Sequence, residues 1–178
     1  MRTTLPPRRL AATMAFLTLV TVVALPAASM VIWLFWQSLA IHLAGGSAYG
    51  YDLTNLSAAA RFAAFGLFFL GALVQAYGLL GIRRTFLEAA EGRSYSERAL
   101  GGFRRFAWIT VVMVFVGIIQ QTGLIAILSI SDPARPAALS IQLGSDEVQA
   151  LFMGLLLVFV ARIFGEGKRA KDEIETFL

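Results

Sequence analysis

Five carboxylates, Glu88, Glu91, Glu97, Glu166 and Glu173, are the groups from which a two-carboxylate acid–base site could be built. Such a site needs a pocket that shifts a pKa. These acids stand among arginines in polar stretches, so they read as surface charge. Cysteine is absent, which excludes disulfides, thiolate metal sites and cysteine nucleophiles. His42 is the single histidine, so a histidine-rich metal site cannot form within one chain. It lies at the outer end of an apolar run and reads as structural. Gly101-Gly102 and Gly165-x-Gly167 fall far short of a phosphate-binding loop. The expectation is a protein that is not an enzyme and carries neither cofactor nor metal.

A second set of polar groups lies inside apolar sequence. Gly71, Gln75 and Gly78 share one face at helical spacing, after Ala64 and Phe68. Small residues let helices approach closely and an amide can hydrogen-bond across the contact, so this stripe reads as intramembrane helix packing. The competing reading of Gln75 is a polar site in a transport path. Gln120 and Gln121 are adjacent and point about 100° apart, so at most one faces a given partner. No ionisable residue lies near the centre of an apolar run, and no internal repeat is evident. Both observations weigh against an ion path or an inverted-repeat carrier.

The elements that position these groups are membrane spans. The 178 residues are 58% hydrophobic and 15% charged, with mean hydropathy +0.73. That is richer in apolar and poorer in charged residues than a soluble domain. The spacing predicts four spans, at about 10–36, 58–82, 106–130 and 148–164, each near or above the ~20 residues that cross a bilayer. The fourth is the shortest. Ala27-Ala28-Ser29 resembles a signal cleavage site, but the apolar run continues through Trp36, so the first segment reads as a span. Pro26 is expected to kink it. Trp33 and Trp36 sit near its far end, where indoles favour the interface. A glycine-rich loop follows over 45–52. Asn55 or Ser57 caps the second span, and Arg61 snorkels toward the headgroups. Ser94-Tyr95-Ser96-Glu97 fits a capping box that starts a helix at Ser94 or Ser96. Gly101-Gly102 weakens that helix, at about 1 kcal/mol per glycine. Pro133, Arg135 and Pro136 lie in the last loop, and a charged tail over 165–178 is helix-forming.

Thirteen of the fifteen basic residues fall at the N-terminus, in the 83–105 stretch or, counting Arg162 at the end of the fourth span, in the tail; Arg61 and Arg135 are the other two. The N-terminal group includes Arg2, Arg8 and Arg9. The positive-inside rule places both ends and the 83–105 loop in the cytoplasm. The formal charge of +4 and pI near 10.0 therefore reflect topology, and no direct nucleic-acid partner is expected. The fold class is all-α: one integral membrane four-helix bundle over 1–178, N-in and C-in, in contact with membrane lipid.

Two stretches resemble a known family. The first is Phe86-Leu87, Gly92, Tyr95-Ser96 and Phe103-Arg104-Arg105-Phe106-Ala107; the second is Ala161, Phe164, Glu166-Gly167, Arg169 and Glu173. They are similar to a bacterial four-span family, domain of unknown function 2975, with its Gly-x-x-Phe-Thr-x-x-Asn, Arg-Leu-Arg-x-Ile-Gly and Ala-x-x-Phe-x-Glu-Gly-x-x-Leu-x-x-Glu segments. Ala99 stands where the family has asparagine, Gly102 where it has arginine, and Ala107 where it has glycine. The tail lacks the usual Leu-Thr-Ile ending. No role of those missing residues carries over. Members are often encoded beside a small helix-turn-helix regulator. The resemblance thus implies a bacterial inner-membrane protein that captures or controls a transcription factor.

The residues themselves point to a cytoplasmic platform made by the 83–105 loop and the tail. Phe86, Tyr95 and Phe103 would anchor a partner, with Arg104, Arg105, Glu166 and Arg169 giving charge complementarity. Two alternatives stand beside it. The same residues could only cap the bundle and fix its topology, or the protein could be a small-solute transporter or channel subunit.

Overall fold

Backbone amides in hydrocarbon have no water to bond, so a long apolar run satisfies itself as helix. The computed structural model describes residues 7–36, 38–39, 47–48, 51–52, 56–131 and 144–176. Arg2, His42, Asn55, Pro133, Arg135 and Pro136 lie outside them. Four long helices are present: α1 (Pro7–Leu34), α2 (Ala58–Ala90), α3 (Glu97–Ser131) and α4 (Ser145–Thr176). Each is long and apolar enough to cross a membrane. The segment read as plain loop holds a small antiparallel hairpin, β1 (Ser47–Ala48) and β2 (Tyr51–Asp52), which pairs Ser47 with Asp52. α1 passes through Pro26 as one helix.

The 83–105 stretch is mostly helix, not loop. α2 continues to Ala90 and α3 begins at Glu97. At 33 and 35 residues and about 1.5 Å per residue, both are roughly 50 Å long. The hydrocarbon layer is ~30 Å thick. The two helices therefore outrun their apolar runs, and a helical hairpin projects past Ile82 and Phe106. α4 likewise runs without a break through the tail to Thr176.

Helix starts follow local chemistry. Ser57 caps α2 by accepting from the Ala60 amide at 3.2 Å. Ser96 caps α3, accepting from the Ala99 amide at 3.1 Å. The expected return bond from Glu97 to Ser94 is replaced: Glu97 pairs with Lys168 of α4, 3.2 Å away. At α4 the Glu147 carboxylate accepts from the Gly144 amide at 2.8 Å, the carboxylate half of a capping box.

The helices pack in chain order, each antiparallel to the next. α1 lies on α2, α2 on α3 and α3 on α4. Among the described residues the backbones of α1 and α4 do not approach each other, nor do those of α2 and α4. The expected bundle is therefore an open row with α1 and α4 at its edges. Its contacts are made by small residues. The buried residues of α2 are Ala60, Ala64, Gly71, Ala76, Gly78 and Gly81. Large side chains point away, with Phe62 76% and Ile130 80% exposed. Lipid is as apolar as leucine, so burying a phenylalanine against protein gains little there, while close backbone approach gains dispersion.

The closest approach is at Gly81 and Gly102. A Cβ on Gly81 would lie 2.6 Å from the Gly102 carbonyl oxygen, and a Cβ on Gly102 would strike the Gly81 carbonyl. Gly101 faces open space. The adjacent glycines should thus respond with opposite sign. Gly102→Ala should lower stability in detergent by roughly 1–3 kcal/mol through overpacking. Gly101→Ala should raise it by up to about 1 kcal/mol through helix propensity. Denaturant-unfolding midpoints of the two variants decide the matter; equal shifts would show that this crossing does not hold α2 to α3.

Candidate functional site

The turn joining α2 to α3 is built by its own backbone. Gly92 has φ +81°, a left-handed conformation that a residue without Cβ adopts freely. The Gly92 amide donates to the Ala89 carbonyl at 3.0 Å and the Arg93 amide to the Glu88 carbonyl at 2.8 Å. This is a Schellman ending, which satisfies the last carbonyls of α2. Arg8 of α1 packs over Gly92.

Glu88 ties the end of α2 to the start of α3. Its side chain is 13% exposed. It accepts from Arg93 Nε at 3.0 Å and from Ser96 Oγ at 2.9 Å, while Ser96 also caps α3. Arg93 holds Glu91 as well. Glu88 lies beyond the apolar run of α2. The Arg93 hydrogen bond, then that of Ser96, hold its carboxyl below the usual range, and the pair raises Arg93. Thr85 Oγ1 donates to the Ala99 carbonyl at 2.7 Å, a further tie between the helices.

The tail joins the same end. Besides the Lys168–Glu97 pair, the Phe103 and Phe164 ring centroids are 6.3 Å apart. Deeper in the row, Gly154 of α4 sits against the Val111 backbone. The start of α1, the α2–α3 turn and the later part of α4 therefore share one end of the array. Arg61 belongs to the opposite end, where its Nε donates to the Leu56 carbonyl at 3.0 Å. Leu56, Ala60, Ile125 and Leu128 cluster there, with Trp36 against them.

At the shared end an apolar groove of about 270 Å³ opens. Ile82 and Phe86 of α2, Tyr95 of the turn, Leu100 and Phe103 of α3 and Phe164 of α4 line it. The three expected aromatic anchors thus meet in one place, and Tyr95 is 61% exposed. Phe164 completes the wall. It lies one helical turn past Ala161, which with Gly154 is buried in α4, and that spacing was the signal available for it.

The expected charged residues do not line this groove. Arg104 and Arg169 are exposed. Glu166 accepts from Arg162 Nε at 3.3 Å on an exposed face of α4. Arg105 lies on the other side of α3, its guanidinium 4.9 Å from the Tyr77 ring centre.

Within the apolar region, Gly71 lies beneath the Gln120 amide and Gly78 beneath Ile109. Gln75 is half-buried and makes no hydrogen bond to the described residues. Gln120 does cross, donating to the Leu67 carbonyl at 3.2 Å. Among the described residues no group of three His, Cys, Asp or Glu side chains could hold a metal ion. Compared with family models, with curated proteins and with solved structures, the chain gives no match.

The Glu88 network sets a pH dependence. Its folded pKa lies below the unfolded one, so its contribution is complete above the ordinary glutamate range, ~4.3, and fades as pH falls through the lowered value. Glu88→Gln should remove that dependence and speed tryptic cleavage after Arg93 at neutral pH. A variant that is cleaved no faster, with unchanged acid sensitivity, would show that this carboxylate does not hold the turn.

Proposed function

We propose that the chain is a multi-pass protein of a bacterial cytoplasmic membrane, with both termini inside, that holds a small cytoplasmic protein against its basic end. The reading rests on one observation, the aromatic groove of Phe86, Tyr95, Phe103 and Phe164 at the ends of the apolar runs. Apolar surface turned to lipid needs no partner, whereas apolar surface at a wet end is what an interface covers. A groove of this kind suits the apolar face of an amphipathic helix. Arg104 and Arg169, exposed at the same end, add positive charge for steering an acidic partner. The concentration of basic residues at this end supports a cytoplasmic location. The class of partner, a helix-turn-helix regulator that the membrane protein sequesters, comes from the family resemblance.

Transport is the weaker reading. The Gln120 amide, which crosses between helices, is bonded to a backbone carbonyl, which suits packing.

The test is capture by the detergent-solubilised full chain of the regulator encoded beside it. The wild type should retain that protein. Tyr95→Ala, which removes an exposed ring and leaves the helix contacts intact, should weaken retention about tenfold or more, as expected of an aromatic anchor. No association, together with no change in a reporter of the regulator on deletion of the membrane protein, would sink the regulatory reading.

A further inference from the structure

A second groove opens on the opposite side of the α2–α3 hairpin, with a volume of about 510 Å³. Arg84, Arg98 and Arg105 line it, together with Leu87, Gly101 and Gly102. The paired glycines leave a gap between Arg98 and Arg105 in its α3 wall, and Gly101 has nothing within 4 Å of a Cβ position. We propose that this groove binds the headgroup phosphate of an anionic glycerophospholipid, with the acyl chains laid along the apolar surface that continues from it.

Charge is the first argument. Two carboxylates, Glu88 and Glu97, also border the groove, but both are engaged. Glu88 is held by Arg93 and Ser96, and Glu97 by Lys168. Arg84 and Arg98 make no hydrogen bond or ion pair with the described residues; Arg98 acts on Glu88 only through space. Arg105 rests on the face of Tyr77. A ring face offers the guanidinium N–H groups no oxygen acceptor, so they stay available to one. A planar fork of this kind matches phosphate oxygens.

Depth is the second argument. The apolar run of α2 ends at Ile82, two residues before Arg84, and that of α3 begins at Phe106, next to Arg105. Arg84 and Arg105 therefore stand at the level where headgroups meet the hydrocarbon, and Arg98 lies about two helical turns further out. Basic pockets between transmembrane helices at that level are the usual receptors for anionic headgroups.

Continuity with an apolar path is the third argument, and it separates a lipid from a free anion. Leu73, Tyr77, Leu80, Arg84 and Leu87 follow one helical stripe on α2, and all five are exposed. Gly101, Arg105, Trp108 and Val112 follow a matching stripe on α3, in which Trp108 and Val112 are exposed. The stripes carry apolar surface from the arginine groove toward the membrane interior. Inorganic phosphate would use the arginines alone; a phospholipid uses both. The site does not depend on the aromatic groove or on any protein partner.

Full-length protein in detergent tests the proposal by native mass spectrometry and thermal unfolding. It is titrated with dioleoylphosphatidylglycerol, with dioleoylphosphatidylcholine and with inorganic phosphate. Phosphatidylglycerol should be retained preferentially and should raise the unfolding temperature, and phosphate at equal concentration should do neither. Arg84→Gln, Arg98→Gln and Arg105→Gln should each weaken phosphatidylglycerol retention by about fivefold. Arg9→Gln, an equal loss of charge at the same end, should not. Arg84 is exposed, so its substitution removes no packing and gives the cleanest reading. Equal retention of the two lipids would overturn the proposal. So would an equal effect of Arg9→Gln, which would mean general surface charge, or an equal temperature rise with phosphate alone, which would mean a soluble anion.

Discussion

Where α2 crosses α3, each of two glycines occupies the space the other's side chain would need. The Gly81 and Gly102 backbones meet directly, and Thr85 bonds across to the Ala99 carbonyl one turn further on. Everything at that end of the protein depends on this contact. It holds the two longest helices together where they leave their apolar runs. It sets the angle at which the Gly92 turn closes, and it fixes Glu88 within reach of both Arg93 and Ser96. The aromatic groove and the arginine groove are the two sides of the same helical hairpin, so a change in the crossing would deform both.

The rest of the row obeys the same economy of size. Alanine and glycine make up most of the buried residues, and Leu128 is the one large side chain fully buried among the described residues. A soluble helical protein would place its phenylalanines inside, because water drives them there. Here the phenylalanines and leucines face outward, as expected when the surroundings are hydrocarbon. α1 and α4 each meet one neighbour, which leaves both edges of the row as broad apolar surfaces. The basic end breaks this pattern, because there large aromatic groups line a groove at the ends of the apolar runs.

Much of this was legible in the residues, because hydropathy and charge are one-dimensional signals. The four helices follow from apolar runs of sufficient length, and the gathering of the basic residues at one end follows from their positions between those runs. Side-chain partners were less legible, because they depend on rotation about each helix axis. Gln75 and Gln120 are equally polar and both lie within apolar runs, yet of the two Gln120 is the one turned to reach the Leu67 carbonyl. Arg104 and Arg105 are neighbours in sequence, but Arg105 turns toward Tyr77. Glu97 has the spacing of a capping box, but Ser96 takes the cap and frees Glu97 for Lys168. Gly102 reads as a weak point in a helix when taken alone, and its value is visible only once Gly81 is opposite it.

The central claim is that the α2–α3 turn and the basic end lie on the cytoplasmic side and the other end outside. The absence of native cysteine makes this directly measurable. Ser94, in the turn, and Ser145, at the start of α4, are both exposed and can be replaced singly by cysteine. With a membrane-impermeant maleimide, Ser145→Cys should be labelled in intact cells and Ser94→Cys only after permeabilisation. The reverse pattern, or labelling of both from the same side, would contradict the account.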